Sequence, residues 1–157
     1  MYEIEEISTS SDNDKSELLD EDLHAFSWTI EDGTTAIKKT DRHVFLYRET
    51  VIPQKIRDYF SIEDLQPGQK RHIVLWHRNS RFDAFIEKTV HDSPRTRMLW
   101  KPDFAAVLRK EYPQWLDFFK KSRIESEDTP AIRFTRRQES DHYDVEFEGT
   151  PSLVATT

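Results

Sequence analysis

The sequence contains no cysteine. Disulfides, thiolate nucleophiles and thiolate metal sites are therefore excluded, and a reducing compartment is compatible with the composition. Glycine is scarce as well, with three residues in a chain of 157. Loops that cradle phosphates with backbone N–H groups need glycines clustered in a short run, so that class of nucleotide site is excluded. No apolar run approaches the roughly 18 residues a membrane-spanning helix requires. The first residues, MYEIEEISTSSDND, are acidic and lack the basic-then-apolar order of a secretion signal.

Charge is plentiful instead, at 34% of residues, and aromatics at 12% supply enough apolar material for one core. The net charge of −7 conceals a division. Residues 1–40 hold 3 lysines and arginines against 11 acids, residues 41–140 hold 20 against 15, and residues 141–157 hold none against 4. A basic body thus lies between acidic ends. The overall pI of 5.4 does not argue against a nucleic-acid partner when charge is segregated in this way. Residues 1–21 read as an acidic, flexible segment, 22–148 as the folded domain, and 149–157 as a tail or the start of a linker. The acidic segment is either a solvated end or a competitor with DNA for the basic face.

Alternation dominates the middle of the chain. Phe82, Ala84 and Ile86 share one face of a strand and Asp83, Phe85 and Glu87 the other. Thr96, Met98 and Trp100 alternate in the same way with Arg97, Leu99 and Lys101. Between these strands lies the polar stretch His91-Asp92-Ser93-Pro94-Arg95. Other expected strands are Phe26–Ile30 and Thr34–Ile37 around an Asp32-Gly33 turn, Val44–Tyr47, and Arg71–Trp76. A closing hairpin is expected over 131–148. Pro53 opens a short helix through Phe60. Pro102 and Asp103 open a second helix, and Pro113 interrupts it before Trp115, Phe118 and Phe119. The expected fold is mainly β, about seven strands with two or three short helices, in a mixed or antiparallel barrel.

Two polar clusters stand out. Arg95 and Arg97 flank the Pro94 loop. Arginine offers a planar fork that engages guanine O6 and N7, or a phosphate, through two hydrogen bonds. Asp92 can accept from a cytosine amino group, and Ser93 and Thr96 can donate to a phosphate or a base. The plain alternative is a solvated strand end with local ion pairs. Lys38, Lys39, Arg42 and His43 form the second cluster, where lysines attract phosphates and Asp41, Arg42 or His43 would read bases. Arg78, Asn79 and Arg81 suit backbone contact, or simply a polar turn. Trp76, Phe85, Trp100 and Trp115 are expected in the core rather than as base-stacking groups. No histidine spacing suggests a metal site, and Pro102-Asp103 lacks the downstream Glu-X-Lys of a nuclease. Neither catalysis nor a cofactor is expected from this chain.

The order of elements resembles the B3-like DNA-binding fold of plant transcription factors and of recognition domains in bacterial restriction endonucleases. The resemblance rests on several stretches between about residues 36 and 148. These are Lys39-Thr40-Asp41-Arg42, Val51-Ile52-Pro53-Gln54 opening a helix, the strands Ile73–Trp76 and Phe82–Ile86, and Arg97–Phe104 leading into the next helix. The 131–148 hairpin completes it. Pro102-Asp103 replaces the Gly-Trp of the plant pattern, which favours the bacterial branch. The resemblance implies a seven-stranded B3-like pseudobarrel with two arms in the major groove of double-stranded DNA. One arm matches Lys38–His43. The other matches Glu87–Arg97, with Lys88 and His91 included, and the Arg78–Arg81 turn lies near a phosphate backbone. It further implies a recognition module of a restriction system, reading a sequence or a modified cytosine, with a nuclease domain fused or associated and a bacterial cytoplasmic location. The competing reading is a protein-interaction or inhibitor module that uses its acidic termini.

Overall fold

The structure is a computed structural model, and it describes residues 27–90, 94–121 and 129–149. The expected flexible segment 1–21 and residues 150–157 lie outside the described residues. Eight strands form one mixed sheet. They are β1 (Trp28–Glu31), β2 (Thr35–Lys39), β3 (Glu49–Val51), β4 (Lys70–His77), β5 (Ser80–Lys88), β6 (Thr96–Trp100), β7 (Ala131–Arg136) and β8 (His142–Glu148). Their spatial order is β1-β2-β7-β8-β4-β5-β6-β3. Every neighbouring pair is antiparallel except β4 and β8, which run parallel. Four short helices accompany the sheet among the described residues: α1 (Arg42–Tyr47), α2 (Gln54–Arg57), α3 (Pro102–Glu111) and α4 (Pro113–Lys121).

Turn chemistry sets the hairpins. Asp32 and Gly33 both take positive φ, at 55° and 70°, between β1 and β2. Arg78 and Asn79 do the same, at 51° and 68°, in the two-residue link between β4 and β5. Two consecutive positive φ values match the right-handed twist of the flanking strands, which is why this turn closes tight hairpins. The pairing of His77 with Ser80 fixes the β4–β5 register, and β5 pairs β6 from Ala84–Trp100 to Lys88–Thr96.

The sheet curls but does not close as a seven-stranded barrel. Its edge strands β1 and β3 share no backbone ladder. They meet through one side chain, where Trp28 Nε1 donates to the Val51 carbonyl at 3.0 Å. The curled interior is filled by rings. Trp28, Tyr59, Phe60, Phe134 and Tyr143 pack together, and Phe82, Trp100, Phe104 and Phe147 form a second group. The buried Tyr59 hydroxyl ties strands together. It lies 2.6 Å from the Thr34 carbonyl and 2.8 Å from that of Phe134, and accepts from Arg136 N at 3.1 Å. A Trp28→Phe substitution keeps a ring in the core but removes the seam's hydrogen bond. It should cost about 1 kcal/mol in urea denaturation, without change in far-UV dichroism.

One expected strand is a helix. Val44–Tyr47 lies in α1, because Asp41 caps it: Asp41 Oδ1 accepts from Val44 N at 3.0 Å. The helical turn lets the adjacent Val44 and Phe45 both be buried, with Phe45 stacked on Phe119 of α4 at 5.5 Å. A strand would have turned one of them outward. The place of that strand in the sheet is taken by β3, which starts two residues after Tyr47.

Candidate nucleic-acid interface

The two polar segments picked out from the sequence meet. Asp41 from the β2–α1 link, His43 from the first turn of α1, Thr89 and Arg95 from the β5–β6 link, Arg97 from β6 and Glu49–Val51 from β3 line one cleft of about 280 Å³. Residues some 50 positions apart come together because β3 pairs β6 along Glu49–Leu99, Thr50–Met98 and Val51–Arg97. The chain leaves β2, makes the single helix α1, and returns as β3 alongside β6. The β5–β6 link is pinned at its base: Thr89 N donates to the Arg95 carbonyl and Arg95 N donates to Thr89 Oγ1, each at 2.9 Å.

The cleft's charges have defined roles. Arg97 is clamped between two carboxylates, with Nη2 at 2.8 Å from Glu87 and Nη1 at 3.2 Å from Glu49. His43 lies 3.7 Å from the other oxygen of Glu49 and is 60% exposed, so its ring edge remains open to a ligand. Tyr47, also exposed, sits 5.3 Å from the His43 ring on the outer side of α1. Asp41 has both oxygens engaged, one by Val44 N and the other by Lys38 Nζ at 3.2 Å.

Several sequence-derived candidates sit elsewhere. Lys38 points to the interior and is 1% exposed, held by Asp41 and by Ser27 Oγ. Thr96 is also buried, facing inward beside Met98. Arg42 turns away from the cleft, its Nη1 donating to the Phe119 carbonyl in the last turn of α4. Lys39 is exposed and Lys88 half-buried, both next to cleft-lining segments. His91, Asp92 and Ser93 lie outside the described residues. Arg78 and Asn79 are at the far end of β5 from Thr89, roughly 26 Å away at a strand's rise per residue. They border a separate broad cavity of about 720 Å³ together with Arg133, Arg137 and Asp144. The arginines there are paired, Arg78 with Glu111 at 3.7 Å, Arg133 with Glu31 at 2.6 Å and Arg137 with Asp144 at 2.8 Å.

Arg81 is on the sheet's outer face, 3.4 Å from Asp83. His72 Nε2 is 2.8 Å from the same Asp83 oxygen. The His72 hydrogen bond, aided by Arg81, holds the Asp83 carboxyl below its usual range. A carboxyl lowered in the folded state contributes stability above its ordinary value near 4, and the contribution is lost as pH falls through the lowered value. A His72→Ala variant should raise the Asp83 titration midpoint toward the ordinary value, read by carbon-detected NMR of the carboxyl.

The sequence reading passed over Glu49, Thr50, Val51 and Thr89 as cleft walls. A three-residue strand carries too little alternation to be read. Two of the aromatics assigned to the core lie outside it. Trp100 and Trp115 are buried, whereas Phe85 and Trp76 are half-buried on the outer face. Among the described residues no group of three or more histidines, aspartates or glutamates is placed to hold a metal ion. No helix among them is long and apolar enough to cross a membrane.

Compared with family models and with curated proteins, the sequence has no match. Among solved structures it is similar to the N-terminal domain of Helicobacter pylori LlaJI.R1. That likeness covers 78% of this chain and 88% of that one, at 12% identity and a TM-score of 0.46.

Proposed function

We propose that this domain binds double-stranded DNA along the cleft between the β2–α1 and β5–β6 links. The observation that supports this reading is the convergence of both polar segments on one cleft. Arg95, Arg97, His43 and Asp41 line it, and Lys39 and Lys88 flank it in sequence. Phosphate contacts by Lys39, Lys88 and Arg95 would supply affinity. Base reading is assigned to the exposed edge of His43 and to Arg95, both of which line the cleft, and Arg97 and Asp41, held by neighbouring charges, act as supports.

The B3-like resemblance of the sequence extends this reading to a recognition module of a restriction system. A nuclease domain would be fused or associated, and this chain would perform no catalysis itself. Recognition of a modified cytosine belongs to the same proposal. Fluorescence anisotropy with random, methylated and hydroxymethylated duplexes at two salt concentrations tests it. The expected result is saturable binding that weakens with salt and favours one duplex class. Equal, weak binding to all of them would reduce the reading to backbone attraction. No binding at low salt would reject it.

A further inference from the structure

We infer that the outer face of β4–β6 forms a second contact surface, a stacking platform for unpaired DNA, centred on Phe85. The inference extends the duplex-binding reading, since the platform adjoins the proposed cleft.

Phe85 alternates outward with Arg81, Asp83 and Glu87, while Phe82, Ala84 and Ile86 fill the interior. Its ring is half-buried on a face that mixes charged side chains with Val74, Trp76 and Leu99. The register sets His72 on one side of it and Leu99 on the other. The His72 ring is 5.5 Å from the Phe85 ring, tilted at 47°. Two ammonium groups, of Lys70 and Lys101, each lie 6.0 Å from the ring centroid. Lys70 is 64% exposed and His72 47%. The acids of this face are engaged by neighbours: Asp83 by His72 and Arg81, Glu87 by Arg97 and, at 3.9 Å, by Lys70.

An aromatic ring flanked by lysines suits one ligand chemistry well. A nucleobase offers a π-face to the ring, and its phosphates meet the ammonium groups, whatever the base. A duplex keeps its bases stacked inside and has none to offer, so the platform selects unpaired strand. The distance to the cleft is short. Phe85 is two residues from Glu87, and Glu87 pairs across the sheet with Arg97 of the cleft wall, a step of roughly 7 Å along the strand. A strand frayed or displaced from a duplex held in the cleft would reach it directly.

The test compares a blunt duplex, the same duplex with an oligo-dT overhang, and oligo-dT alone, by anisotropy. The proteins are wild type, Phe85→Leu, and Lys70→Gln with Lys101→Gln. Phe85→Leu keeps an apolar side chain on the outer face and removes only the ring. The overhang should tighten wild-type binding about tenfold. Phe85→Leu should lose that increment and keep its blunt-duplex affinity. If the blunt duplex binds and the overhang adds nothing, or Phe85→Leu keeps the increment, the platform is overturned and the cleft reading stands. If oligo-dT binds through Phe85 while blunt duplex does not, the platform stands and the cleft reading falls.

Discussion

An Asp41→Asn variant should lose about 3–5 kcal/mol of stability in urea denaturation, the cost of leaving a buried charge without its partner. Asparagine retains an oxygen for Val44 N, so the cap of α1 survives and the loss reports on Lys38 alone. Lys38 is 1% exposed, and its ammonium has Asp41 at 3.2 Å and a neutral hydroxyl, Ser27 Oγ, as partners. A neutral side chain at position 41 removes the compensating charge and leaves the desolvation cost. Adding Lys38→Met should recover most of the lost stability, because an apolar chain of similar length removes the stranded ammonium. A double-mutant cycle measures this coupling directly. If Asp41→Asn costs under about 1 kcal/mol, the ion pair is not what holds the β2–α1 link. A shift in that link would move His43 and with it one wall of the cleft.

Arg95→Ala should weaken duplex binding by about 1–3 kcal/mol, with a smaller loss of thermal stability than Arg97→Ala. Its backbone already closes the β5–β6 link through Thr89, and that pair of hydrogen bonds survives truncation of the side chain. Arg97→Ala should behave differently. That guanidinium joins Glu87 of β5 to Glu49 of β3, so its removal leaves two carboxylates facing each other across β6. It should lower stability as well as affinity. The comparison separates a group that contacts the ligand from one that positions the cleft. Equal loss of affinity in both variants, with equal loss of stability, would place Arg95 in the scaffold instead.

The long strands were legible because period-2 alternation is strong over β5, β6 and the 131–148 hairpin and β4 is a short apolar run, while Asp32-Gly33 marks the β1–β2 turn and Pro113 the break between α3 and α4. Val44–Tyr47 was misread because four successive apolar residues fit a strand or a buried helix equally. The deciding signal was local: Asp41 stands three residues before Val44, where a capping carboxylate belongs. Lys38 was misassigned to the surface although it shares its strand face with the buried Ala36. Charge outweighed period in that reading, and the period was right. Phe85 shows the reverse error, since its outward phase was visible while its aromatic character suggested core. That the two polar links line one cleft was not foreseen, since the family resemblance implied two separated arms around a duplex. The pairing of β3 with β6, which brings them together, has no trace in three residues of sequence.

The placement of the duplex is the claim on which the account depends. Amide chemical-shift mapping tests it most directly, with a short duplex titrated into nitrogen-labelled protein. Perturbations should concentrate at Lys39–His43, Glu49–Val51 and the residues from Lys88 to Arg97. Shifts confined to Arg78–Asn79 and the outer residues of β7 and β8, or no shifts at saturating duplex, would contradict it.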